Sequence, residues 1–440
     1  MYLNRKIDIE LTLWGNKPQR KPLLLRGARQ VGKSSSVREY AKNFKYFIEV
    51  NFEEHKEVHN IFKLNLSPHE ICNNLSAYYN VPVIPGESLI FFDEIQSCIP
   101  AISSLRFFYE KYSELHLIAA GSLLEFALSE IPSFGVGRIR TMFVYPFSFE
   151  EFLMAKGEKI LLNAKKNASE EHPLPEPIHN KLNNLLKQFL ILGGMPEVIA
   201  SYIKNSDLIK CISILDDLLL TYESDFAKYK NLVPSSRILE VFNSVAEQVG
   251  NKFIYTKASA ENKIRNVKDA LDLLIMAGLV IPVTHTAANG IPLGAELDFK
   301  KRKMLLFDTG LFLRLLGLNI KQILFEDDFN LINKGHITEL FAGLELLKAY
   351  PGYSRKDLYY WKRENKSSNA EVDYLVQKND KIVPIEVKSS KQGSMKSIYI
   401  LIEEKNINIG VRFSLENYSS YKKIKVFPLY AIPEFIERDL

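Results

Sequence analysis

Apolar runs and apolar/polar alternation divide the first third of the chain into strands separated by helices. Leu23-Leu24-Leu25 predicts a short strand, residues 34–40 suit a helix, and residues 46–52 alternate in side-chain polarity and are rich in β-formers. Residues 88–96 read as an apolar strand that ends in two carboxylates, Asp93 and Glu94. Residues 115–120 form a third apolar run, and residues 142–145 are strand-like. Strand, loop, helix, strand is the opening of a parallel sheet. Ahead of it, residues 1–21 predict a helix with Ile7, Ile9, Leu11, Leu13 and Trp14 as its apolar positions, ending at Gly15 before a basic loop from Lys17 to Lys21. Residues 53–85 are helical with polar interruptions.

Further on the periodicity changes. Residues 160–179 are polar and carry Pro173, Pro175 and Pro177, which predicts an exposed insertion. Helices resume over 182–192 and 208–222, broken by Gly193-Gly194-Met195-Pro196-Glu197. Three helical stretches (235–249, from 255, and 264–277) precede two β-like segments, 281–286 and 303–308, with Asn289-Gly290 between them. Three helices and a β ribbon form a winged-helix pattern. Arg265 and Lys268 lie near the start of its third helix, and Lys300-Lys301-Arg302-Lys303 falls in the expected wing. DNA contact and a protein-interaction role are both open for this module. The last region alternates again: a helix over 335–346, strands at 358–361, 370–376 and 382–390, a helix at 397–404, and strands at 408–413 and 424–432.

Composition adds bounds. The chain has 440 residues, enough for two to four domains, with 46% hydrophobic and 25% charged residues. Its net charge of +5 mildly favours an anionic partner. Cys72, Cys98 and Cys211 are widely spaced, which suggests neither a disulfide framework nor a zinc site and fits a reducing cytoplasm. No apolar run approaches the roughly 18 residues of a membrane span, so no membrane partner is expected.

Chemistry concentrates first at Gly27-Ala28-Arg29-Gln30-Val31-Gly32-Lys33-Ser34, which matches G-x-x-x-x-G-K-[ST] between a predicted strand and a predicted helix. The glycines permit a tight turn that aims backbone N–H groups at a polyphosphate, and the following helix adds its N-terminal partial charge. Lys33 is placed for the terminal phosphates and Ser34 for a hydrated Mg²⁺. An acid delivered at the C-terminal end of a buried parallel strand lies beside such a loop. Asp93 is therefore the candidate for the Mg²⁺ shell and Glu94 for orienting the attacking water. Ser122, at the end of the next strand, is either a γ-phosphate sensor or a helix cap. Arg138 and Arg140 follow a glycine pair, and each qualifies as a finger toward a neighbouring subunit's γ-phosphate or as a plain surface arginine.

Taken together, GARQVGKS, LIFFDEIQ, AAGSLLEF, GRIRTMFVYPFSFEEF and LGGMPEVI resemble a prokaryotic family of AAA+ ATPases, over nearly the whole chain. The resemblance implies ATP with Mg²⁺, Lys33 and Ser34 in the first nucleotide motif, and Asp93 and Glu94 in the second. Ser122 stands where many AAA+ proteins have asparagine. Arg138 matches the family's arginine better than Arg140, which implies a homo-oligomer completed in trans.

A second constellation lies near the C-terminus. Asp373 on one strand and Glu386-Val387-Lys388 on the next give the arrangement of the PD-(D/E)xK nucleases, with Val372 where the motif's name has proline. Asp373 and Glu386 can converge on a divalent cation, strand periodicity puts Glu386 and Lys388 on one face, and Glu339 on the preceding helix matches the accessory acid. WKRE, AEVDYLV and IEVKSS also resemble the restriction-endonuclease-like C-terminal domain of the same ATPase family. The expected fold class is α/β. A P-loop AAA+ core (1–155) precedes a helical lid with a polar insertion (156–232), a winged helix (233–320) and a nuclease-like domain (330–440). The expected function is ATP hydrolysis coupled to action on DNA, or alternatively a nucleotide-dependent switch acting on a protein partner without cleavage.

Overall fold

A computed structural model describes the chain except for residues 65–66, 123, 125–127, 129–136, 230–231, 319–333, 364–368, 390–393 and 440. Gly135 and Val136, Leu123, Glu125 and Phe126, Glu364, Ser390 and the expected boundary at 320–330 therefore lie outside the described residues. The chain divides into two compact units. The first is Met1–Pro146 with Met276–Gly278 and Pro351–Arg355, and the second is Phe147–Ile275 with Leu279–Tyr350 and Lys356–Leu440.

The first unit is built on a parallel sheet of β1 (Leu23–Arg26), β2 (Tyr46–Asn51), β3 (Ser88–Asp93), β4 (His116–Ala120) and β5 (Arg140–Phe143), in the order β2-β3-β4-β1-β5. Strands β3 and β4 are buried at every position, as continuous apolar runs in a parallel sheet should be. Phe92 on β3 shows why: its ring lies 5.6 Å from Phe52, 5.4 Å from Phe62 and 6.3 Å from Phe108, edge to face in each case. Each such buried ring contributes about 1.5–3 kcal/mol of transfer free energy. The order has a functional consequence. Because β4 lies between β1 and β3, the segments leaving the C-terminal ends of all three strands meet at one edge.

The second unit contains an eight-stranded mixed sheet. Its strands are β6 (Val280–Thr286), β7 (Leu297–Leu306), β8 (Leu358–Lys362), β9 (Glu371–Lys378), β10 (Lys381–Val387), β11 (Gly410–Ser414), β12 (Ser419–Tyr421) and β13 (Ile424–Pro428). The order is β12-β13-β11-β10-β9-β8-β6-β7. The β6–β7 hairpin does not stand apart as a wing. Val283, Thr284 and His285 of β6 pair in parallel with Leu358, Tyr359 and Tyr360 of β8, so strands assigned to the middle and C-terminal regions share one sheet.

The polar stretch 160–179 is exposed around Pro173, Pro175 and Pro177, as expected, but not throughout. It contains the helix Lys159–Asn167, whose Lys165 is fully buried between Glu150 and Glu434. His179 at its end hydrogen-bonds Tyr430 Oη at 2.7 Å through Nδ1. Lys165 and His179 are partners of buried groups far away in sequence, which composition does not disclose. The helices expected over 182–192 and 208–222 are present as Glu176–Leu192 and Leu208–Asp225, and a further helix that was not expected, Pro196–Asn205, starts within the break between them. The first begins earlier than expected, since Pro177 fits the opening turn, where its missing N–H costs nothing.

Candidate functional site

Strand β1 ends at Arg26, and the helix Lys33–Ala41 begins seven residues later. Between them Gly27 (φ 143°), Gln30 (φ 59°) and Gly32 (φ 95°) take positive φ, which curls the loop and gathers its N–H groups. Glycine is required at 27 for a second reason, because a Cβ there would lie 2.1 Å from the Val144 carbonyl oxygen. Lys33 Nζ donates to the carbonyls of Gly27 (2.9 Å) and Ala28 (2.7 Å). Burial pulls this ammonium down to about 8, against the pull of the nearby Glu94 and Asp93 carboxylates. Arg29 lies 3.9 Å from Glu53.

Strand β3 delivers Asp93 and Glu94 beside this loop. Burial raises the Asp93 carboxyl, partly offset by a hydrogen bond from Ser34, the residue that opens onto the helix. Ser34 and Asp93 thus form a hydroxyl–carboxylate pair at the junction of loop and acid strand, a donor set that suits a hydrated Mg²⁺. Glu94 has φ 48°, an uncommon conformation for a residue with a Cβ, which turns its side chain off the strand axis. Its Oε2 accepts from Gln96 Nε2 at 2.6 Å and from Ser122 Oγ at 3.3 Å. Gly121 makes room for this: a Cβ there would lie 2.2 Å from Gln96 Oε1. Lys33, Ser34, Asp93, Glu94 and Ser122 are brought together.

Two supports carry no sequence signal. Arg5 is buried and donates to the carbonyls of Val31 (3.1 Å) and Tyr145 (2.8 Å), pinning the loop from outside. Gln96 holds Glu94. Each acts through a backbone or side-chain partner that spacing along the chain does not reveal.

Arg138 and Arg140 lie elsewhere. Arg140 opens β5 opposite Leu23, the first residue of β1, at the edge of the sheet away from the loop. Its guanidinium stacks on Tyr353 at 4.6 Å, beside a cleft of about 680 Å³ that Lys17, Lys21 and Tyr109 also line. Arg138, just before β5, pairs with Glu110.

In the second unit, Glu339 comes from the helix Lys334–Lys348, Asp373 from β9, and Glu386 and Lys388 from the end of β10. Lys388 Nζ lies 2.5 Å from Glu386 Oε1, and Asp373 Oδ2 accepts from the Val387 N–H at 2.8 Å. The four residues are neighbours, with an addition from β7. Lys303 Nζ lies 2.6 Å from Glu371 Oε1, 2.9 Å from Glu339 Oε1 and 3.9 Å from Asp373 Oδ1. Burial lowers the Lys303 ammonium, but Glu339, Asp373 and Glu371 reverse that and hold it well above the usual lysine range. Burial raises Glu339 to about 8 and Glu386 to about 7. Among the described residues, no group of three or more His, Cys, Asp or Glu side chains is arranged to hold a metal ion.

The basic run that falls in the expected wing is largely taken up internally. Lys303 is in the acidic site, Arg302 stacks on Phe299 at 4.9 Å, and Lys301 lies 3.3 Å from Asp298. Arg265, Lys268 and Lys300 remain exposed. No helix among the described residues is long and apolar enough to cross a membrane, and all three cysteines are free and buried.

Residues 19–153 match a family model described as an AAA domain. Residues 183–322 and 334–432 match two domains of unknown function, DUF8612 and DUF4143. No curated protein matches the sequence at a significant level. Among solved structures, the Walker-type ATPase PABY2304 of Pyrococcus abyssi aligns at 16% identity and a TM-score of 0.46, covering 72% of this chain and 96% of that one. The Aeropyrum pernix ORC1 protein in complex with DNA aligns at 13% identity and a TM-score of 0.26, covering 74% and 93%. At those scores neither carries an inference about activity. The parallel sheet, the loop at residues 27–34 and the match over residues 19–153 together make the N-terminal region an AAA-type, ATPase-like domain.

Proposed function

We propose that this chain binds ATP with Mg²⁺ at the 27–34 loop and hydrolyses it. The observation that carries the reading is the Ser34–Asp93 pair beside a lysine held by two loop carbonyls. The loop N–H groups from Gly27 to Gly32 bind phosphate oxygens. Lys33 exchanges its two carbonyl partners for the terminal phosphates, and a charge-assisted contact there is stronger than the neutral ones it replaces. Ser34 and Asp93 are the residues that would hold Mg²⁺, which when bound neutralises charge on the phosphates. Glu94, steadied by Gln96, orients the attacking water and takes its proton, while Ser122 reaches toward the γ-phosphate. Arg138, which pairs with Glu110 in its own chain, is the candidate for a contribution to a neighbouring subunit's site.

The C-terminal residues Glu339, Asp373, Glu386 and Lys388 support a nuclease-like fold, and exposed Arg265, Lys268 and Lys300 favour DNA as the partner. The second reading, a nucleotide-dependent switch on a protein partner without cleavage, is favoured by Lys303 within the acidic site. Equilibrium ATP binding and steady-state phosphate release on wild type, Lys33→Ala and Glu94→Gln test the ATPase reading. Lys33→Ala loses nucleotide binding. Glu94→Gln keeps it and loses turnover by about 10²-fold or more. Wild-type turnover in Glu94→Gln refutes the assignment. Binding to DNA in rising salt separates the partners, since phosphate contacts give a steep loss of affinity with ionic strength.

A further inference from the structure

Lys303 reaches the interior of the second unit from β7, a strand of the hairpin that joins the sheet through β8. Its side chain is 1% exposed and is held by Glu371 and Glu339 at hydrogen-bond distance, with Asp373 at 3.9 Å and the Tyr360 ring centroid at 5.2 Å. An isolated ammonium buried this deeply is expensive, so Lys303 is tolerable because Glu339, Glu371 and Asp373 surround it; Glu371, part-exposed, also holds Lys362 at 2.9 Å. A hard divalent ion would need oxygen ligands at about 2.0–2.6 Å converging on one point. Here the convergence point of Glu339, Glu371 and Asp373 is the lysine nitrogen. Glu386 completes the picture. One of its oxygens binds Lys388, while Oε2 is buried without a hydrogen-bond partner.

We infer that Lys303 is the resident cation of this acidic site, so that the wild-type chain takes no divalent ion there, and that removing the ammonium converts the site into one that does. The inference stands independently of the ATPase reading. Truncating Lys303 leaves Glu339, Glu371, Asp373 and the unpartnered Glu386 oxygen around a space from which one positive charge has been deleted. Oxygen-only ligands of that charge select Mn²⁺ or Mg²⁺ rather than a soft metal.

The test uses the full chain without nucleotide and Mn²⁺ alone, with free Mn²⁺ counted by electron paramagnetic resonance. Wild type, Asp373→Asn, Lys303→Met and the double variant are compared, so that any weak binding at Ser34 and Asp93 is common to all four. The expected result is no difference between wild type and Asp373→Asn, and one additional Mn²⁺ per chain in Lys303→Met that the double variant loses. A wild-type Mn²⁺ site that Asp373→Asn abolishes overturns the inference, and so does a folded Lys303→Met variant that gains no site. Should Lys303→Met fail to fold, the first pair of proteins still decides, because a resident lysine requires their Mn²⁺ titrations to coincide.

Discussion

Replacing Lys165 with methionine removes one charge from a triad sealed within the second unit. Lys165 Nζ sits 2.6 and 2.7 Å from the two oxygens of Glu434 and 3.2 Å from Glu150 Oε1, with the lysine side chain fully buried and both carboxylates 2% exposed. Methionine fills nearly the same volume, so packing changes little and the effect isolates charge. Breaking a buried pair by deleting one partner costs about 3–5 kcal/mol, a large part of the ~5–15 kcal/mol that stabilises an ordinary domain. Burial already raises the Glu434 carboxyl in the intact triad, and Lys165 opposes that rise. Without Lys165 the carboxyl rises further. The folded state then holds more protons than the unfolded one above the ordinary carboxylate range, so stability falls as pH rises through that window.

The loss in Lys165→Met is therefore largest near pH 7 and shrinks toward pH 5, where protonation relieves the repulsion. Trp14 lies in the first unit and Trp361 in the second, and they are the chain's two tryptophans. Urea unfolding followed by Trp361 fluorescence in a Trp14→Phe background thus reports the second unit. The triple variant Lys165→Met, Glu150→Gln, Glu434→Gln, with no net buried charge, should regain much of the loss. A pH 7 cost below about 1 kcal/mol refutes the reasoning, since that is the worth of an exposed pair. So does a cost that is unchanged at pH 5 and in the triple variant.

Two further perturbations concern the first unit. In Gly121→Ala the new Cβ lies 2.2 Å from Gln96 Oε1 and 2.6 Å from Leu124 Cδ1, so Gln96 must leave Glu94. ATP turnover should fall about tenfold, equivalent to about 1.4 kcal/mol, with nucleotide affinity unchanged; equal turnover in a phosphate-release assay would show that Gln96 does not position Glu94. His116 is lowered to about 4 by burial and by Arg20, whose Nη1 is 3.2 Å from its Nδ1. The unfolded state therefore binds the extra proton first. Stability of the first unit should be intact above about pH 6.5 and decline as pH falls toward 4, and His116→Asn should flatten that decline in thermal melts.

What could be read from the sequence follows the range of the interactions involved. The loop at 27–34 and the acids after β3 were legible because a parallel strand must be apolar throughout and must deliver its ligands at one end. The helices around 182–192 and 208–222 and the strands carrying Asp373 and Glu386 were legible from periodicity. Strand β12 was not, since Ser419-Ser420-Tyr421 is largely exposed and has no apolar pattern. Lys165 looked like a surface residue because its partner Glu434 is 269 positions away. Lys303 was misread for a related reason. In a run of four basic residues the natural expectation is a solvated face, and only the register of β7 separates the buried lysine from its neighbours.

Lys33 and Lys303 show why two lysines near paired acids need not do related work. Lys33 is held by two uncharged carbonyls at 2.9 and 2.7 Å, and an arriving phosphate offers it full negative charge in exchange. Release of Lys303 would instead separate it from carboxylates at 2.6, 2.9 and 3.9 Å. A cation that exchanges partners suits a site through which substrate must pass. One that cannot exchange suits a site whose charges are fixed at folding, and on that contrast the proposed turnover belongs to the loop at 27–34 and the proposed structural constancy to the acidic site on the second sheet.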